Sequence, residues 1–416
     1  MNHAGTTMLR RAATAGAAAL LLISAGCSSD SAAVDPQSVA VGATLPADYG
    51  NDGPGSLQSA EDLLTIDRRL SGISSIAARV VYTSTSGVDG SEQRVSGTVF
   101  APEGTAPEGG WPIIAYGHGT TGVLEDCGPS TDPELLGSSQ IVAALVRTGH
   151  VVAVSDYQGL GLDGTYHPYL DARTVGNNLI DSVRAARKLV PNTSTRWASF
   201  GGSQGGQASW AANELAGTYG AGLDMVGSVS LVPAADITGL AAAAASGTLT
   251  EDQKPLLQWV LVGLSQAHPE LNLDDYRRGI VAERWDELSA CGGVLAADRT
   301  SLAAQISDDD LRPATPEATA TLEGYLREMS LPKSPASAPM LVIYGGKDTL
   351  ISQPWTDAAI AAGCGNGDSI QYVLQPNSGH ADIDGAAAFG WLEDRFAGTE
   401  AVSFCPASAP ESAPAP

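Results

Sequence analysis

The chain has 416 residues, 43 % of them hydrophobic, enough for one large core with an insertion and too few for three such domains. Its formal net charge of -24 repels phosphate backbones, which excludes nucleic acid as a natural partner. With six histidines and no Cys-x-x-Cys pair, a zinc site has no support, and neither a metal nor an organic cofactor is expected.

Arg10 and Arg11 precede an apolar run over 12–23 that is too short to cross a bilayer. Residues 1–27 therefore read as an export signal. Ser24-Ala25-Gly26-Cys27 is similar to a bacterial lipobox, in which Cys27 would carry a lipid tether to the membrane; plain secretion is the other route. Residues 28–50 are small and polar, an expected flexible linker. A catalytic domain is expected over 51–405, and a disordered Pro/Ala/Ser-rich tail over 406–416.

Within 51–405, strand-like and helix-like stretches alternate. Runs at 79–85 and 94–100 flank the turn 87–90 and predict an antiparallel hairpin. A short apolar strand at 111–116 ends in Gly117-His118-Gly119, and the spacing then predicts a helix over 139–147. A buried-type strand follows at 150–155, a helix at 175–189, a strand at 196–200 and a helix at 207–215. Further strands are predicted at 226–232, 340–344 and 370–374, with a last helix over 384–396. Continuous apolar strands alternating with helices imply a mostly parallel sheet flanked by helices, with chemistry at the carboxyl ends of the strands. Residues 236–335 break this rhythm, being Ala-rich and helical in pattern without a clear strand. A helical cap or lid over the active site is expected there; helices packed on the side are the alternative.

Gly201-Gly202-Ser203-Gln204-Gly205 fits G-x-S-x-G. In a chain with 48 glycines such a match arises readily by chance, and its placement between a strand and a helix is what makes Ser203 the candidate nucleophile. A serine hydroxyl needs a base, and on this scaffold the order is serine, acid, histidine. His380 is the histidine that follows the last strand, and Asp348 sits just past the strand at 340–344. Asp382 and Asp384 lie beside His380 on the wrong loop. An oxyanion needs two donors: the backbone N–H of Gln204 is one, and Thr120, with Thr121 close behind, is the candidate for the other. Asp156-Tyr157-Gln158-Gly159 is expected to support the floor of the site. Once Cys27 is set aside, Cys127, Cys291, Cys364 and Cys405 suggest two disulfides, for which counting alone allows three pairings.

Taken together, Gly117-His118-Gly119-Thr120, Glu125 through Ser130, Ser155 through Gly159, Gly202 through Gly206, Leu264 through Pro269, Lys347-Asp348 and Gly379-His380 resemble the secretory lipase family, in order and at similar spacings from about residue 75 to 405. The resemblance implies an α/β-hydrolase fold, the triad Ser203, Asp348 and His380, and a lid segment at 264–269. It also implies disulfides Cys127–Cys291 and Cys364–Cys405, and a small-molecule or lipid ester as substrate. The implied reaction is ester hydrolysis through an acyl-enzyme. An exported peptidase on the same scaffold is the catalytic alternative, and a surface binding protein on a silent scaffold is the non-catalytic one.

Overall fold

The apolar runs assemble into ten strands of one sheet, seen in a computed structural model that describes residues 39–50, 52–292 and 297–406. The expected export signal, Cys27 and the tail beyond 406 lie outside the described residues. Among the described residues, no helix is long and apolar enough to cross a membrane. The strands are β1 (Val41–Thr44), β2 (Leu57–Leu63), β3 (Ser74–Thr85), β4 (Glu92–Pro102), β5 (Trp111–Gly117), β6 (Val151–Ser155), β7 (Thr193–Gly202), β8 (Asp224–Leu231), β9 (Met340–Gly345) and β10 (Ile370–Gln375). Their order is β1-β2-β3-β4-β6-β5-β7-β8-β9-β10. Strands β5 to β10 run parallel, and β1 to β4 extend the sheet antiparallel from β6.

The helices are α1 (Arg68–Ser71), α2 (Ser139–Arg147), α3 (Ala172–Leu189), α4 (Gln204–Ala216), α5 (Gly239–Ser246), α6 (Gln253–Ala267), α7 (Gly279–Glu283), α8 (Trp285–Ser289), α9 (Ala297–Ala303), α10 (Pro316–Met329), α11 (Gln353–Gly365) and α12 (Ala387–Phe396). Every residue of β6 and β9 is buried, as expected for strands covered on both faces. On one face Val175, Leu179 and Val183 of α3 and Ala208 and Ala212 of α4 pack on Ile113, Ala153 and Trp197. On the other, Val142 and Leu145 of α2 and Trp391 and Leu392 of α12 pack on Ile114, Val152 and Phe200.

Strand β5 lies between β6 and β7, so the chain leaves it in both directions across the sheet. Such a switch point opens a crevice at the carboxyl ends of the strands, where β5 and β7 stop. The described part of 236–335 holds no strand and supplies α5 to α10, joined by non-helical stretches. It carries a separate apolar cluster, including Leu257, Val260, Leu261, Leu288 and Leu322, which meets Val123 after β5 and Tyr169 after β6. The insertion thus docks on loops at the carboxyl ends of the strands.

The expected elements recur within a few residues, and α2 matches its expected range. The linker expected over 28–50 needs correction in its described part: 41–44 forms β1, which pairs with β2 at the sheet edge. Its side chains are mostly exposed, so no apolar alternation marks it as a strand. Strand β2 and helices α1 and α11 have no counterpart among the expected elements.

Candidate active site

Ser203 follows β7 directly and caps the N-terminus of α4 with φ 59° and ψ -117°. A side chain at positive φ is strained, and here the turn that imposes it lifts the hydroxyl off the sheet edge. The neighbouring glycines are required by close approach. A Cβ on Gly205 would collide with the carbonyl of Gly117, and one on Gly201 would sit 2.7 Å from the same oxygen. The Ser203 N–H is held by Leu231 O at 2.9 Å.

The Ser203 hydroxyl donates to His380 Nε2 at 2.9 Å, and His380 Nδ1–H donates to Asp348 Oδ2 at 2.7 Å. Asp348 is nearly buried. Its other oxygen, Oδ1, accepts from the N–H groups of Leu350 and Ile351, each at 2.9 Å. Asp348 therefore both caps its own turn and orients the histidine. Asp382, the sequence competitor, accepts instead from the backbone N–H of Gly379.

Thr120 shares a cavity with Ser203 and His380. Its hydroxyl is hydrogen-bonded to that of Tyr169 at 2.6 Å. Thr121 is turned away: its hydroxyl donates to Cys127 O at 2.7 Å, and its carbonyl accepts from the Gly292 N–H at 2.7 Å. Gln204 opens α4, and the first N–H of a helix has no acceptor within it. Its side chain donates to His167 Nε2 at 2.9 Å, while His167 Nδ1–H donates to Gln158 O at 2.8 Å. That pattern requires a neutral ring, and burial pushes the His167 pKa down to about 3. His118 is likewise kept neutral by burial. It stacks on Tyr157 with ring centroids 4.4 Å apart, and Tyr157 OH donates to His118 O. Asp156 is fully buried and accepts from Ser96 Oγ, Ser130 N and Ser130 Oγ, which makes it a clamp beneath the site.

The cavity measures about 550 Å³. The insertion contributes Asp252, Pro255, Leu256, Trp259 and Arg299 to its wall, together with Thr349 and Leu350 of the Asp348 loop. The insertion thus supplies part of the wall of the cavity that Ser203 and His380 also line. The segment 264–269, expected as a lid, begins in the last turn of α6 and runs past its end at Ala267, and the first two turns of that helix line the cavity. Thr250 Oγ1 donates to Thr349 O, Gln253 Nε2 donates to Leu350 O, and Asp252 accepts from Thr349 Oγ1. On the opposite side the Cys127–Cys291 disulfide, with Cα atoms 5.3 Å apart, joins the insertion to the loop after Thr120. The second disulfide joins Cys364 to Cys405 and encloses the segment that carries His380. Among the described residues, the group that could offer metal ligands is Asp126 with Cys127 and Cys291, whose sulfurs are joined to each other.

The sequence pattern of the secretory lipase family matches residues 136–404. Over 380 residues the chain is 26 % identical to a protein of Mycobacterium tuberculosis named a probable inactive lipase, covering 85 % of this chain and 81 % of that one. Among solved structures it is similar to Candida antarctica lipase A in its closed state, with a TM-score of 0.69, 16 % identity and 88 % of each chain covered. It is also similar to the rice cell wall degrading esterase LipA from Xanthomonas oryzae, with a TM-score of 0.64, 20 % identity, and 84 % of this chain and 97 % of that one covered. At these identities the likeness establishes the fold, that of the α/β-hydrolases.

Proposed function

The chain belongs to the secretory lipase family, and on that premise we propose that it is an exported serine hydrolase that cleaves carboxylic esters through Ser203, His380 and Asp348. The observation that carries this reading is the continuous hydrogen-bonded row from Asp348 through His380 to Ser203, opening on a cavity walled by Pro255, Leu256, Trp259 and Leu350. In the proposed reaction Ser203 Oγ attacks the ester carbonyl carbon while His380 Nε2 takes its proton, and Asp348 stabilises the imidazolium. The N–H groups of Gln204 and Thr120 hold the oxyanion, each such donor contributing about 3–4 kcal/mol to the barrier reduction. Collapse expels the alcohol, protonated by His380. Water, deprotonated by the same ring, then attacks the acyl-enzyme and releases the acid.

Export is supported by the two disulfides, which persist in oxidising compartments, and by the signal-like start of the sequence. Ser24-Ala25-Gly26-Cys27 supports a lipid tether at the cell envelope. A chain-length series of 4-nitrophenyl esters, with Ser203→Ala as control, tests the reaction and its acyl range. Comparable turnover of aminoacyl anilides would favour the peptidase instead. The relative named a probable inactive lipase favours a second reading, a binding protein on a silent scaffold. A fluorophosphonate probe separates the two: absence of Ser203 labelling in folded protein would remove the hydrolase reading.

A further inference from the structure

Arg299 lines the same cavity as Ser203 and His380 and takes no part in the chemistry above. It lies on α9 and is 8 % exposed. Its guanidinium carbon stands 3.4 Å from the centre of the Trp259 ring. Nε donates to Leu288 O at 2.8 Å and Nη2 to Pro255 O at 3.4 Å. Among the described residues no carboxylate pairs with it, and the ionisable group that acts on it is the Tyr169 hydroxyl. Asp252, the carboxylate on the same cavity wall, is exposed and engaged by Thr349. Glu287, which shares a neighbouring surface hollow with Arg299, is held by Arg284 at 2.8 Å. Arg299 also sits on the oxyanion side: Trp259 beneath it meets Tyr169 edge-on, and Tyr169 bonds Thr120.

A buried cation without an anion is costly, since burial removes hydration that two carbonyls and an aromatic face replace only in part. Burial lowers the Arg299 pKa to about 10, so the charge persists at neutral pH. A chain of net charge -24 does not draw anions by its overall field, so any recognition of one must be local. A guanidinium offers planar, directed donors, and a carboxylate is the group that matches them.

We propose that Arg299 makes this cavity a carboxylate-recognition subsite, so that the preferred substrates are esters carrying a free carboxylate. The inference deepens the ester-hydrolase reading and rests on it for its kinetic test. The carboxylate could belong to the acyl chain or to the leaving alcohol, and two matched pairs separate these sources. The acyl pair is mono-4-nitrophenyl adipate against its methyl ester. The alcohol pair is 4-carboxyphenyl hexanoate against 4-(methoxycarbonyl)phenyl hexanoate.

The readout is the ratio of kcat/KM for the charged over the neutral member, in the wild-type, Arg299→Gln and Arg299→Lys chains. The expected wild-type ratio is at least about tenfold in one pair, which is about 1.4 kcal/mol. Arg299→Gln should bring it close to one, and Arg299→Lys should retain part of it. A wild-type ratio near one in both pairs overturns the proposal, as does a ratio that Arg299→Gln leaves unchanged. If Arg299→Gln does not fold, inhibition of the wild type by adipate against dimethyl adipate decides instead: equal inhibition, or none, overturns it. If the wild type cleaves none of the esters, the hydrolase reading fails separately. Thermal stabilisation of the Ser203→Ala chain by adipate, absent in Ser203→Ala/Arg299→Gln, would then support the subsite, and no stabilisation would overturn it.

Discussion

Asp348→Asn is the substitution whose effect follows most directly from the geometry. Asp348 Oδ1 accepts two backbone N–H groups, and Oδ2 accepts the His380 Nδ1–H. An asparagine must keep its oxygen toward Leu350 and Ile351, because its amide nitrogen there would face two donors. Its NH₂ then points at His380 Nδ1 and turns that atom into an acceptor. The ring proton moves to Nε2, which faces Ser203 and can no longer take its proton. Loss of the correct tautomer lowers kcat by about 10⁴ in a serine triad, which at 1.36 kcal/mol per decade is about 5.4 kcal/mol. Stability should change little, since both backbone bonds remain. Asp348→Ala should lose comparable activity and in addition about 1–3 kcal/mol for each N–H left without an acceptor. The assay pairs 4-nitrophenyl butyrate kinetics with urea unfolding of both variants. If Asp348→Asn keeps kcat within tenfold of wild type, the assigned relay is wrong.

Replacing both cysteines of Cys127–Cys291, which lie 164 residues apart, should cost about 5 kcal/mol on the chain-entropy account. The same change at Cys364–Cys405, 41 apart, should cost about 4 kcal/mol, so urea midpoints should fall in that order. Leu256→Trp should narrow the cavity wall and lower kcat/KM for octanoate relative to butyrate esters by about tenfold or more, read in the chain-length series. His150, away from the site, is buried against Phe396 and its pKa is pushed down to about 4 by that burial. The unfolded chain protonates this group near 6.5 and the folded one does not, so its stabilising effect is lost as pH falls through that window. Glu393, 3.8 Å away and half-exposed, offsets little of this. His167 adds the same slope, whereas Asp181, raised to about 6 by burial, opposes it below that pH. His150→Gln should reduce the loss of unfolding free energy between pH 6.5 and 5 by about 1.5 kcal/mol, measured by urea titration at the two pH values.

The row of Ser203, His380 and Asp348 was legible because each residue follows a strand, and strand ends converge wherever parallel strands carry helices on both faces. The antiparallel hairpin was legible from its turn residues. The sheet edge was not: β1 has almost no buried side chain, so its pairing is decided by backbone bonds that leave no pattern. The cavity wall was not legible either. Apolar spacing predicts that the insertion is helical, but docking decides which turn of α6 meets the site. The segment 264–269 begins in the last turn of that helix, whereas its first two turns line the cavity. The Gln204 contact with His167 joins residues 37 apart through side chains whose types carry no spacing signal. Arg299 was silent for the same reason, because only burial without a partner distinguishes it from the other basic residues.

The Cys127–Cys291 bond gives the insertion a covalent post. On that side it is fixed covalently to the loop carrying Thr120 and Thr121. On the opposite side, next to Asp348, it is fastened by hydrogen bonds from Thr250, Asp252 and Gln253 to Thr349 and Leu350. Three such bonds contribute about 1.5–4.5 kcal/mol together, and Leu350, Ile351 and Trp355 also pack against the apolar cluster of the insertion. The two attachments beside the cavity therefore answer to different reagents: a reductant severs the one at Cys127, and a denaturant weakens the one at Thr349 and Leu350.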